Sequence, residues 1–142
     1  MVIPATPVAV RTLLLALEGA ASLAGLSDDE RECTLLVLAE AMNNIVEHGY
    51  AGSDGWIILQ PGPGRTGRDW CIIDSAVQAP PEDPAPSLLL DPLPEGGFGW
   101  PLIIALTERV TLRRRAGFNL LSLMVRRHNA LQLAELPLAK IA

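Results

Sequence analysis

Aromatic side chains are scarce: three tryptophans, two phenylalanines and one tyrosine make up 4 % of 142 residues. The core must therefore be built from Leu, Ile, Val and Ala, and a hydrophobic content of 49 % can supply it. Cysteine is nearly missing. Cys33 and Cys71 both sit in apolar segments, and neither has a second ligand at C-x-x-C or C-x-x-H spacing. That excludes a disulfide framework or a zinc ribbon and fits small buried thiols of a reduced compartment. Positive charge is short as well. A net charge of −5 and a pI of about 4.9 argue against nucleic acid as a direct partner. Arg113-Arg114-Arg115 and Arg126-Arg127 are too short to change that, and read as solvated strand edges. Apolar runs stay far below the roughly 18 residues of a membrane span, and no cationic leader precedes a cleavage site. A cytoplasmic chain without membrane contact is expected. Its length fits one domain over 1–142.

What is present begins with Met1 to Val10, an edge strand or a loose arm broken by Pro4 and Pro7. Thr12 to Leu26 is Ala- and Leu-rich and predicts a helix. Ser27 followed by Glu30 spells a capping box, so a second helix starts there and runs to His48. Trp56 to Gln60 and Asp69 to Asp74 predict two strands of a hairpin around the Pro/Gly-rich loop 61–67. The stretch 77–97 holds half of the chain's 12 prolines and no periodicity. So long an irregular stretch reads as a lid or binding loop, with a floppy insertion as the alternative. Gly96-Gly97-Phe98-Gly99 then opens a helix over Pro101 to Glu108, a turn type that can cradle phosphate. Val110 to Arg115 and Asn119 to Arg127 alternate as strands joined by Ala116-Gly117. Asn129 to Ala142 is a moderately apolar tail, with the sheet or a partner as the surfaces it could pack on. This order predicts an α+β, two-layer sandwich: a mixed, mostly antiparallel sheet with helices on one face.

The second helix carries the chemistry. Leu35, Leu38, Ala39, Met42, Ile45 and Val46 recur at helical spacing and predict the core stripe. Glu40, Asn44 and His48 fall on the other side, four residues apart, and Gly49 ends the helix. A solvated face is one reading of that stripe. The other is a metal-nucleotide site, because Val37 and Ala41 flank the stripe where an exposed face would carry Lys or Arg. Asn offers a neutral oxygen to Mg²⁺, and Glu can take a proton.

Three motifs then fall in order: Glu40-x-x-x-Asn44 with His48-Gly49-Tyr50, Asp74-Ser75-Ala76, and Gly97-x-Gly99 before a helix. Together they resemble the GHKL (Bergerat-fold) ATP-binding superfamily, and within it the RsbW-type anti-sigma-factor serine kinases. The resemblance covers roughly Thr12 to Arg127. It implies ATP and Mg²⁺ as cofactors, with 77–97 as the ATP lid. It implies Glu40 as general base toward a serine hydroxyl and Asn44 as the Mg²⁺ ligand. Asp74 would accept from the adenine amino group, with Ala76 and Asn119 close to the base. Gly97 and Gly99 would let the backbone approach the phosphates. Ala76 stands where the family pattern has glycine, a position that favours φ > 0. The implied partners are a sigma factor and a STAS-type anti-anti-sigma protein, with a homodimer possible. A regulatory binding module of the same fold, with little or no kinase activity, is the competing expectation.

Overall fold

The computed structural model describes residues 1–77 and 99–127. Within them the chain forms β1 (Val2–Pro4), α1 (Pro7–Glu18), a 3-10 turn (Ala21–Leu23), α2 (Asp28–Asn44) and a π-helical turn (Ile45–Tyr50). Then come β2 (Trp56–Pro61), β3 (Asp69–Asp74), α3 (Gly99–Leu106), β4 (Thr107–Arg115) and β5 (Phe118–Val125). The expected lid residues 78–97, Gly97 among them, and the tail 129–142 lie outside the described residues.

The five strands form one sheet in the order β1-β2-β3-β5-β4, and all of its pairings are antiparallel. Both expected hairpins are present, β2 with β3 and β4 with β5. The chain returns from β3 through α3 to the far edge, so β5 comes to lie against β3. One face of the sheet is closed by the helices. Ile57, Leu59, Trp70, Ile72, Leu121 and Leu123 alternate onto that face and are almost fully buried. They meet Leu13 and Leu17 of α1, Leu38 and Met42 of α2, and Ile103 of α3.

The first helix begins earlier than its pattern predicts. Thr6 caps it by accepting from the Ala9 N–H at 3.2 Å, and Pro7 occupies the first turn. There the missing N–H costs nothing and the fixed φ fits, so Pro7 opens a helix instead of breaking an arm. The helix ends at Glu18 before Gly19, and Ala21–Leu23 follow as a separate tight turn. The capping box of α2 is formed as its sequence spells it: Ser27 Oγ accepts from Glu30 N–H at 3.2 Å, and Glu30 Oε2 accepts from Ser27 N–H at 3.0 Å.

The buried face of α2 is rotated from the expected stripe. Val37, Leu38, Ala41 and Met42 are buried, with Cys33 and Thr34, whereas Leu35, Ala39 and Val46 are half-buried. Val37 and Ala41, which the pattern placed beside the polar stripe, therefore point into the core. Gly49 does not end this helix. After Asn44 the chain widens into the π-helical turn, which closes at Ala51 in the left-handed region (φ 50, ψ 43). The third helix ends at Leu106 instead of Glu108. Thr107 Oγ1 bonds back to Ile103 O at 2.7 Å, and a bulge between Thr107 and Arg109 starts β4 at once. Among the described residues no helix is long and apolar enough to cross a membrane.

Candidate functional site

Glu40 and Asn44 sit one turn apart on α2, both half-buried. The rotation of α2 brings them to the flank of the buried face, against the start of α3. A Cβ on Gly99 would lie 2.9 Å from Asn44 Nδ2, and 3.0 Å from both Asn44 Oδ1 and Glu40 Oε2. Glycine at this position is what lets the first turn of α3 approach the two side chains. Asn44 Nδ2 is buried and has no hydrogen-bond partner among the described residues. An unmatched buried amide costs about 1–3 kcal/mol, so Asn44 Nδ2 can still donate to a group that reaches it. His48 is not brought here. The π-helical turn carries it off the line of Glu40 and Asn44. Its side chain is 71 % exposed and 4.0 Å from Glu47.

A second cluster forms at the end of β3. Asp74 lies opposite Asn119 of β5 and is 2 % exposed. Its Oδ1 accepts from Asn119 Nδ2 and from the Ala76 N–H, both at 2.8 Å. Asn119 Nδ2 also donates to Ala76 O at 3.0 Å. Burial pushes the Asp74 carboxyl above the ordinary carboxylate range. The Asn119 bond, the Ala76 amide and the nearby Arg114 charge oppose that shift without cancelling it. Oδ2 makes no hydrogen bond among the described residues and remains an acceptor with a raised proton affinity. Ala76 is buried but not in the left-handed region, where Ala51, Arg65 and Ala116 are the non-glycine residues. The strain expected from Ala in place of glycine is therefore absent.

A model of the histidine kinase-like ATPase domain matches residues 3–125. The chain belongs to this family. A search of curated proteins finds no match. Histidine kinase-like ATPase domains bind ATP, and the two clusters fit that ligand at different points. The unmatched Asn44 amide and the close approach of Gly99 suit a phosphate–metal region. The free oxygen of a desolvated Asp74 suits a base amino group. Among the described residues no group of His, Cys, Asp and Glu is gathered to hold a metal by itself. Of the Glu40–Asn44 pair, Asn44 is the residue that could offer a metal such as Mg²⁺ a neutral oxygen.

Two residues of this ATPase domain position the site without having been assigned a role in the sequence. Arg114 belongs to the run read as a solvated strand edge. Strand alternation instead turns it to the helix-covered side, opposite Asn119. Its Nη1 donates to Asn119 Oδ1 at 3.2 Å and to Val77 O at 3.1 Å. Period-two counting on from Val110 and Leu112 could have revealed it. Tyr50 closes the π-helical turn. Its hydroxyl accepts from Ser75 N–H at 3.1 Å and donates to Trp56 O at 2.7 Å, tying the turn after Asn44 to the residue after Asp74. Gly55 leaves room for that ring, because a Cβ there would fall within the space the ring occupies.

Proposed function

We propose that this ATPase domain is an anti-sigma factor with serine-protein kinase activity toward a STAS-type anti-anti-sigma protein. The observation that carries the reading is the Glu40–Asn44 pair against Gly99: one proton acceptor and one neutral amide, half-buried and close together. Bound ATP·Mg²⁺ supplies the phosphoryl group and neutralises the charge that develops on it. Asn44 would hold the metal through its amide oxygen. Glu40 would take the proton of the incoming serine hydroxyl as its oxygen bonds to the γ-phosphorus, while the bond to the β-phosphate breaks and ADP leaves. Asp74 and Asn119 orient the base, with Arg114 and Tyr50 fixing their positions. Cytoplasmic localisation goes with this reading.

The second reading is a regulatory binding module with weak phosphotransfer. It draws on Ala76, whose buried methyl group occupies a position that glycine leaves open. Glu40→Gln separates the two. It keeps the shape of the side chain and removes the proton acceptor, and a general base supplies a factor of about 10²–10⁴ in rate. The expected result is ATP binding unchanged in calorimetry and phosphotransfer to the co-encoded STAS-type protein reduced by that factor. ATP binding by the wild type without any phosphotransfer would leave the binding module as the function.

A further inference from the structure

The β2–β3 ladder stops one pair short. Its register runs from Pro61 opposite Trp70 to Ile57 opposite Asp74, so Trp56 and Ser75 would be the next partners. Gly55 O and Leu59 N–H bond toward the β1 side, which turns the main-chain groups of Trp56 to β3. Trp56 and Ser75 are therefore a pair that would exchange bonds directly. Instead the Tyr50 hydroxyl stands between them and takes those bonds up. It donates to Trp56 O at 2.7 Å and accepts from Ser75 N–H at 3.1 Å and Trp56 N–H at 3.3 Å. Its one proton goes to Trp56 O, and its oxygen accepts twice.

Tyr50 is held at its main chain as well. Ser53 donates to Tyr50 O from its N–H at 2.9 Å and from Oγ at 2.6 Å. Ala51 beside it lies in the left-handed region. The Tyr50 side chain is buried, and Gly55 passes so close that a Cβ there would overlap the ring. On one side of Tyr50 runs the π-helical turn, which begins directly after Asn44. Such turns recur at functional sites. On the other side is Ser75, the residue after Asp74, followed by Ala76, whose N–H donates to Asp74 Oδ1 at 2.8 Å. One hydrogen bond thus bypasses β2, the loop after it and β3.

We propose that the Tyr50 hydroxyl is a positioning link that makes the placement of Asn44 depend on that of Asp74, so that the two ends of bound ATP reinforce each other. The inference rests on the reading of Asp74 as the base contact and Asn44 as the metal contact. Apart from Ser75 Oγ at 3.3 Å, the hydroxyl bonds to main-chain groups, so it acts through other residues. Main chain does not swing aside as a side chain does. A shift at Ser75 when a base meets Asp74 is carried to the turn after Asn44, and coupling of this kind is reciprocal.

A mutant cycle on ATP·Mg²⁺ affinity, measured by calorimetry on the full chain, tests the link. With Tyr50 in place, the loss in Asp74→Asn/Asn44→Ala should fall short of the product of the two single losses by about threefold or more, the scale of residues coupled through one network. Tyr50→Phe keeps the ring and removes the hydroxyl. In that background the two losses should multiply to within about twofold, as independent sites do. Gly55→Ala is a second route, and it stands in where Tyr50→Phe does not fold. It leaves the phenol intact, displaces its ring and should abolish the coupling in the same way. Urea unfolding of each protein shows that the chain titrated is folded. Single losses that simply multiply with Tyr50 in place overturn the proposal. A coupling that survives Tyr50→Phe at full size also overturns it, and leaves Tyr50 as a packing residue. Absence of the single losses is a different result: it removes Asp74 and Asn44 from the nucleotide site, and the link falls with that reading.

Discussion

Asn119 donates through Nδ2 to Oδ1 of Asp74 across the β3–β5 pair, at 2.8 Å, and the two residues are register partners. Among the described residues Asp74 therefore engages one oxygen, and the other is the acceptor that the proposed function offers to a ligand. It does so from a desolvated position that raises its proton affinity. Two consequences follow for Asp74→Asn. The amide oxygen can keep both internal bonds, so the fold survives, but the acceptor proposed to face the base becomes a donor. A mismatched polar contact costs about 1–3 kcal/mol, so ATP affinity should fall by roughly 5- to 150-fold. Calorimetric titration of the two proteins measures it, and equal affinities would remove Asp74 from base recognition.

The same carboxyl sets a pH dependence. Its pKa is higher folded than unfolded, so the folded chain holds the proton more tightly. Its contribution to stability is fully present below the unfolded value of about 3.8 and declines as pH rises through the raised folded value. Asp74→Asn abolishes that decline. Urea unfolding across acid to neutral pH should show the variant gaining on the wild type as pH rises, with no gain at the acid end. A parallel pair of curves would mean that Asp74 is better solvated than its 2 % exposure indicates.

Gly99→Ala places a methyl group 2.9–3.0 Å from the ends of Asn44 and Glu40. Alanine favours a helix over glycine by up to about 1 kcal/mol, which offsets part of the crowding. Stability should change little, while displacement of Asn44 lowers ATP affinity about tenfold or more, the usual scale for moving a polar contact out of reach. Thermal unfolding and nucleotide titration on one sample separate the two effects. A large loss of stability with unchanged affinity would make Gly99 a packing residue only.

The β4–β5 hairpin turns at Ala116 (φ 51) and Gly117 (φ 82), both in the left-handed region. A two-residue turn of this kind prefers Asn-Gly, because a Cβ without a polar side chain is strained there. Ala116→Asn should raise stability by about 0.5–1 kcal/mol and leave ATP binding untouched. Chemical denaturation checks the first, and a loss of stability would show that the turn is set by its tertiary contacts.

The amino-acid sequence by itself determined the elements whose signals are local. Ser27 and Glu30 form a cap with their own neighbours, Ala116-Gly117 is a turn by composition, and both hairpins are pairings of adjacent strands. It also placed Glu40 and Asn44 side by side, since they are one helical turn apart wherever the helix lies. Other features depended on contacts with distant chain. The rotation of α2 was decided by what packs beside it, so the buried residues include Val37 and Ala41 where periodicity alone pointed to Leu35 and Ala39. Gly49 was available as a terminator, yet the helix passed through a π-helical turn to Ala51, with Tyr50 anchored to Ser75 and Trp56. The meeting of Asp74 with Asn119, and the turning of Arg114 from a presumed edge cation into a brace on that pair, required β5 to cross and pair with β3. Such pairings close long loops, and their free energy comes from burial that no short window of sequence contains.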